Sequence, residues 1–181
     1  MFTRNVVLAV AFAAAASAWV GSALAQQGPG LGVEISQDDL APWDISIETD
    51  GTGLPPGSGN AATGAAVYTT HCLACHGQEG AGQPNDRLVG GHGTLDSLNQ
   101  VRTIGSFWPY ASTVFDYIRR AMPFTTPQSL TNDEVYALTA YLLHLNGIID
   151  EDDVMNARTL ARIEMPNRDG FILAYPERAD D

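Results

Sequence analysis

Residues 71–76 have the sequence His-Cys-Leu-Ala-Cys-His, in which Cys72, Cys75 and His76 form a C-x-x-C-H pattern. The chain contains only these two cysteines, so they belong to one site rather than to a disulfide framework. Residues three and four positions apart share one face of a helix. Both thiols can therefore reach one edge of a porphyrin, and the next imidazole is aimed at its iron. The pattern predicts one covalently bound haem c, with His76 as the proximal ligand.

Two other sites would use the same cysteines. A dithiol redox centre prefers a βαβ setting, whereas an Ala-rich helical pattern precedes Cys72. A zinc site needs about four ligands, and His71, His92 and His144 stand at no metal-site spacing. The sequence favours covalent haem over both.

The charge of the chain restricts its partners. Its 181 residues include 21 acidic and 9 basic residues, for a formal net charge of -12, and every basic residue is arginine. Such a chain cannot neutralise a polyphosphate backbone, which excludes nucleic acid. An anionic membrane surface is an equally poor partner.

The N-terminus has the pattern of a secretory signal. Arg4 is the only charge before Glu34, residues 6–20 are apolar, and Ala23-Leu24-Ala25 fits the small-x-small cleavage rule. We expect cleavage after Ala25, export to the periplasm, and no membrane attachment afterwards. The alternative is an uncleaved anchor, since residues 6–24 nearly suffice to span a bilayer.

We predict four segments along the chain. They are a signal peptide (1–25), an N-terminal extended arm (26–59), a haem domain (60–147) and a C-terminal extension (148–181). Residues 34–59 contain six acids and no base.

Apolar periodicity and capping residues predict an all-α fold. The expected helices are 61–75 with Asn60 as N-cap, 114–122 capped by Ser112 or Thr113, and a helix to about Asn146 opened by the capping box Thr131–Glu134.

Weaker signals mark shorter elements. They predict a short helix after Ser36, a short strand at 43–47, a short helix within 95–104, and one more helix capped by the acidic run 150–153.

The second axial ligand of the iron has five candidates. Met122 directly follows a predicted helix and precedes Pro123, which favours it. Met165 also precedes a proline but lies in a polar tail. Met155 is interpreted as a residue that only packs in the interior, and His144 as an exposed residue. His92 is the fifth candidate.

Residues 60–147 resemble the class I cytochromes c. The shared features are Gly64, Tyr68, the C-x-x-C-H motif, Met122-Pro123, Leu130-Thr131 with Glu134, and Tyr141. The resemblance implies a class I cytochrome c fold with extensions over a single haem domain. In that family Gly64 would allow the N- and C-terminal helices to approach closely, and Tyr141 would fill the contact.

The chain is also similar to the SoxD cytochrome subunits of periplasmic sulfane dehydrogenases, part of the thiosulfate-oxidising Sox system. The similar segments are Trp43-Asp44-Ile45 and residues 50–57, 88–91, 108–124 and 165–171. The resemblance implies a SoxC-like molybdenum-cofactor subunit as partner and a downstream cytochrome or oxidase as acceptor. It departs in one respect, because SoxD proteins can carry a second haem domain and this chain has one C-x-x-C-H.

The predicted function is the relay of single electrons by a His/Met haem. Catalysis on sulfur would belong to the molybdenum subunit, within a complex acting as an S-disulfanyl-L-cysteine oxidoreductase. The alternatives are a free-standing shuttle for another periplasmic dehydrogenase, a catalytic haem with an open iron site, and a module without haem, which leaves the motif unexplained.

Two further roles follow from composition. A haem propionate needs charge-assisted donors, and Arg102, Trp108 and Tyr110 are the candidates, although both aromatic residues also fit a core role. The acidic arm and tail are expected to dock on a basic partner, or only to cover the haem crevice and keep the protein soluble.

Overall fold

The computed structural model describes residues 31–172. The predicted signal peptide and its cleavage point lie outside these residues. The chain divides into two compact units, Met1–Asp44 and Ile45–Asp181.

In the first unit, Ser36 caps the short helix α1, Gln37–Leu40, as predicted. The Ser36 hydroxyl accepts from the Asp39 N–H, and the Asp39 carboxylate accepts from the Ser36 N–H in return. Leu31, Val33 and Trp43 are exposed by more than four-fifths of their surface. The strand predicted at 43–47 does not form.

The second unit begins its regular structure with β1, Ser58–Asn60, and α2, Ala61–His71. Asn60 caps α2 as predicted, by accepting from the Thr63 N–H. The helix does not continue to Cys75, because Cys72 leaves the helical region with φ −122°. A separate turn, α3, covers Leu73–His76, and Gly77 ends it with φ +73°.

Helix α4, Ala111–Ala121, begins three residues before the predicted start and has no side-chain cap. Neither predicted capping hydroxyl accepts a hydrogen bond from an N–H of the first turn. Ser112 donates to the carbonyl of Thr49 at 3.0 Å, and Thr113 donates to the carbonyl of Tyr110 at 2.7 Å.

Helix α5, Asn132–Leu145, starts at the predicted capping box. The Glu134 carboxylate accepts from both the N–H and the hydroxyl of Thr131 at 2.8 Å, and these bonds lower the pKa of Glu134. Gly147 follows α5 with φ +67°, which a glycine adopts at low cost.

Residues 95–104 form turns rather than the predicted helix. Thr94 accepts from the Val101 N–H at 3.0 Å, and Ser97 donates to the carbonyl of Thr94 at 2.8 Å. Such local side-chain bonds compete with helical ones.

An antiparallel pair joins β1 to β2, Val154–Asn156, which the sequence did not predict. Helix α6, Ala157–Leu160, follows and is capped by Asn156 instead of the acidic run. A β-carbon at Gly59 would lie 2.6 Å from Ala137 Cα, so β1 rests directly on α5.

The core is formed mainly between α2, α4 and α5. Phe115 and Tyr136 stack with their centroids 4.4 Å apart, and both are fully buried. Within residues 31–172, no helix is long and apolar enough to cross a membrane.

The two predicted terminal helices, α2 and α5, touch at Gly64. A β-carbon there would lie 2.6 Å from the carbonyl carbon of Ala137 and 2.7 Å from Tyr141 Cβ. Both distances are far inside van der Waals contact, so the helix backbones meet directly. The close approach expected from the family resemblance is present.

We predict that Gly64→Ala destabilises the holoprotein by about 1–3 kcal/mol, because overpacking against backbone outweighs the gain in helix propensity. Thermal unfolding followed by circular dichroism measures the change. Ala62→Ser, on the exposed face of the same helix, also adds one heavy atom and should leave the melting temperature within the error. Equal melting temperatures for the two variants would contradict the contact.

Candidate haem site

The two cysteines lie where α2 ends and α3 begins. Cys72 is half-buried and Cys75 is exposed. The N–H groups of Cys75 and His76 both donate to the carbonyl of Cys72, at 3.1 and 2.9 Å, which brings the three motif residues into one turn. Burial, and secondarily the nearby Cys75, raises the pKa of the Cys72 thiol to about 11.

The imidazole of His76 is held by one of its two nitrogens. Nδ1 lies 2.8 Å from the carbonyl oxygen of Asp86. A carbonyl can only accept, so Nδ1 carries the hydrogen and Nε2 is left with a free lone pair. This is the tautomer in which a histidine binds a metal through Nε2, with a second partner fixing its ring.

The segment that follows His76 is tied back onto the same turn. The N–H of Gly82 donates to the carbonyl of His76 at 2.8 Å, and the N–H of Asn85 donates to that of Cys75 at 2.9 Å. The Tyr68 hydroxyl donates to the carbonyl of Gly77 at 2.7 Å, and burial raises the pKa of Tyr68 to about 12. Sequence reasoning missed the role of Asp86, because a backbone carbonyl leaves no residue signature.

The candidates for the second axial ligand differ in burial. Met122 is the C-cap of α4 and is partly buried at the edge of the core. Met155 and Met165 are each 3% exposed and belong to the core itself. The expectation that Met165 lies in a polar tail is wrong, since its side chain is packed inside.

The two alternative histidines differ in burial. His92 is exposed. His144, expected to be exposed, is instead half-buried on α5, and its Nδ1 is buried without a hydrogen-bond partner among the described residues.

The three candidate propionate partners lie within residues 102–110, directly before α4. Arg102 is exposed, with its guanidinium 5.3 Å from the Phe107 ring centroid. Trp108 packs edge-on against Tyr117 at 5.6 Å. The Tyr110 ring lies 5.2 Å from the Arg168 guanidinium. Both aromatic residues are half-buried, and Trp108 packs against the core.

These donors fit a c-type haem. One turn offers two thiols and an imidazole with Nε2 free, and Met122 at the end of α4 is the candidate thioether. In cytochromes c, a histidine and a methionine ligate the iron, and the two cysteines of C-x-x-C-H attach the porphyrin.

Comparisons with known proteins agree with this chemistry. The cytochrome c family matches residues 61–146. The solved sulfane dehydrogenase SoxCD from Paracoccus pantotrophus contains a chain with 42% sequence identity and a TM-score of 0.77, and the match covers 83% of this chain and 73% of that one. No curated protein sequence matches the chain.

The protein therefore carries one covalently bound haem c and transfers electrons. The identity and coverage of the SoxCD match also show the relationship at the level of the family. The chain belongs to the cytochrome c family, as a class I c-type cytochrome close to SoxD.

Proposed function

We propose that this chain is the cytochrome subunit of a SoxCD-like sulfane dehydrogenase. It accepts single electrons from a SoxC-like molybdenum subunit in the periplasm and passes them to a downstream cytochrome or oxidase. One observation carries the proposal. The SoxCD match spans roughly 150 residues, far more than the 61–146 segment that the general cytochrome c family matches. The resemblance therefore includes parts of the chain that a haem domain alone does not need.

We assign the haem attachment to Cys72 and Cys75, because the chain has no other cysteine. His76 is the proximal ligand through Nε2, and Met122 is the distal ligand. When bound, the haem supplies a one-electron couple at iron, and methionine with histidine ligation raises its potential.

The surrounding residues keep the ligands in place. The Asp86 carbonyl fixes the ring of His76 and increases the basicity of Nε2. The end of α4 places Met122, while Tyr68 holds the backbone next to His76.

We predict that Met122→Ala opens the iron to exogenous ligands and lowers the reduction potential, since the thioether is lost. Imidazole binding followed by absorption spectra and a potentiometric titration measure both changes. Met165→Ala is the control. It should lower stability by about 2–5 kcal/mol, because a buried side chain is removed from the core, without opening the iron. The reverse pattern would assign the ligand to Met165.

Arg102, Trp108 and Tyr110 are proposed to include a partner for a haem propionate. Arg102 is the charged member. Its guanidinium donates to the side chain of Gln100 at 3.0 Å and remains exposed, so its other N–H groups can serve a carboxylate.

Removing a cation from a carboxylate raises the pKa of that carboxylate. We therefore predict that Arg102→Gln raises a propionate pKa, so that the midpoint potential falls more steeply as pH increases from 5 to 8. Spectroelectrochemical titration at several pH values measures this slope. Arg158→Gln, an exposed arginine on α6, is the matched control, and identical slopes in both variants would remove Arg102 from the site.

The docking role of the acidic segments is supported by charge. In the first unit, Glu34, Asp38, Asp39 and Asp44 are all exposed. The chain has no lysine, so a lysine ring around the haem edge is excluded. Recognition is then expected to rest on acidic residues that face a basic partner, or on apolar contact around the porphyrin edge.

We predict that neutralising the four exposed acids of the first unit, to Gln or Asn, slows reduction of the cytochrome by a SoxC-like subunit. It should also flatten the dependence of that rate on ionic strength, because steering between opposite charges is screened by salt. Stopped-flow absorption measures both. Reduction by a small reductant and the haem spectrum are the controls and should not change.

The test distinguishes this proposal from a free-standing shuttle. If the intact cytochrome neither binds the SoxC-like subunit nor is reduced by it, while its haem spectrum is normal, the assignment to a SoxCD-like complex is wrong. If it is reduced but with no salt dependence, the acidic residues are not the docking surface.

A further inference from the structure

Asn146 is the C-cap of α5. Its side chain joins that helix to the loop of residues 88–90, which is distant in sequence. Asn146 is 6% exposed. Its amide nitrogen donates to the carbonyls of Leu142 at 2.8 Å and Leu88 at 3.3 Å, and its amide oxygen accepts from the Gly90 N–H at 3.0 Å. Two carbonyls and one N–H around the amide admit only this orientation of oxygen and nitrogen. Every polar atom of the side chain therefore has a partner.

The same loop is held from its other side by residues 103–105. Thr103 donates to the carbonyl of Gly90 at 2.5 Å, and the Ile104 N–H donates to that of Leu88 at 3.2 Å. A β-carbon at Gly105 would lie 2.6 Å from Asn146 Cγ. Residues 88–90 are thus clamped between the Asn146 side chain and the segment of residues 103–105.

Asp86, whose carbonyl orients His76, lies two residues before the clamp. Hydrogen bonds to the haem-motif side fix its neighbours in sequence. The Asn85 N–H donates to the carbonyl of Cys75 at 2.9 Å, and the Leu88 N–H donates to the carbonyl of Gly80 at 2.8 Å. The position of the Asp86 carbonyl is therefore set by two anchors. One is the C-x-x-C-H turn with Gly80, and the other is the clamp on residues 88–90, in which Asn146 acts together with Thr103 and Ile104.

We propose that Asn146 is a positioning residue for the axial ligand His76. By holding residues 88–90 to the end of α5, it keeps the Asp86 carbonyl within hydrogen-bond distance of Nδ1. This inference rests on the proposed role of His76 as iron ligand. A hydrogen bond from Nδ1 makes Nε2 a stronger donor, and a stronger donor favours the ferric state. Asn146 therefore lowers the reduction potential through the orientation of His76, without itself binding the iron.

The experiment compares Asn146→Leu with the native holoprotein. We expect the variant to have a higher reduction potential. We also expect the His76 Nδ1 proton to exchange with solvent roughly tenfold faster, as befits the loss of about one net hydrogen bond. Potentiometry and proton nuclear magnetic resonance of the ferrous protein measure the two quantities.

Asn132→Leu is the matched control, because Asn132 lies at the opposite end of α5 and its amide also donates to a distant carbonyl, that of Pro56 at 3.2 Å. This variant should lose stability while keeping the native potential and Nδ1 exchange rate. If Asn146→Leu behaves in the same way as Asn132→Leu, Asn146 is only a structural cap and the proposal is overturned.

Should Asn146→Leu fail to fold, hydrogen exchange of the native protein decides. The Gly90 amide and the His76 Nδ1 proton should open with the same free energy and the same denaturant dependence, as members of one cooperative unit. If the Gly90 amide exchanges at a lower opening free energy while the His76 Nδ1 proton stays protected, the clamp does not hold the Asp86 carbonyl and the proposal is overturned. The ligand assignment is checked separately, because iron-shifted ring protons of His76 in the ferric protein must be present if it is the axial ligand.

Discussion

The direct backbone contact between α2 and α5 at Gly64 is the constraint on which the site depends. Helix α2 ends at the residue before Cys72, and α5 ends at the residue before Asn146. Because no side chain separates the helices at Gly64, their relative position is set by backbone atoms that cannot move to another rotamer. Tyr68 and Tyr141 flank the contact with ring centroids 5.4 Å apart. The haem-binding turn and the end of α5 are thereby placed by packing, while loops only connect them.

What the sequence predicted well is what local chemistry decides. The capping boxes at Ser36 and Thr131 and the N-cap at Asn60 each involve partners three residues apart, so their residue types are visible in a short window. A capping box also fixes the residue at which its helix begins, as at Ser36 and Thr131. The start of α4 could not be found in this way, because Ser112 and Thr113 lie inside the helix and their hydroxyls donate to carbonyls instead of accepting from its free N–H groups. The pairing of β1 with β2 joins residues nearly a hundred positions apart, and three-residue strands carry almost no periodicity.

In the haem site too, features set by local sequence were predicted and features set by distant contacts were not. Cys72, Cys75 and His76 were predicted because covalent haem requires those side chains at that spacing. The Asp86 carbonyl was missed because any residue supplies one. The burial of Met165 could not be predicted from its polar neighbours in sequence, since its partners in the core come from elsewhere in the fold. The same is true of His144, whose half-buried position depends on the packing of α5.

The predicted arm, residues 26–59, consists of two parts that differ in whether they pack against the core. The boundaries of the arm are a prediction. From Ile45 onward it takes part in folding. Ile47 is buried in the core, the Thr49 carbonyl accepts from Ser112, and the Pro55 carbonyl accepts from the Tyr136 hydroxyl at 2.8 Å.

Before Ile45, the described residues belong to the first unit, and their four acids and five large apolar side chains are exposed. Burial of apolar surface is the main favourable term in folding, so a segment that leaves Leu31, Val33 and Trp43 exposed contributes little to stability. Selection for its composition then has to act through something other than the core. A charged segment with exposed apolar side chains, which precedes the haem domain in sequence, is suited to contact with another protein.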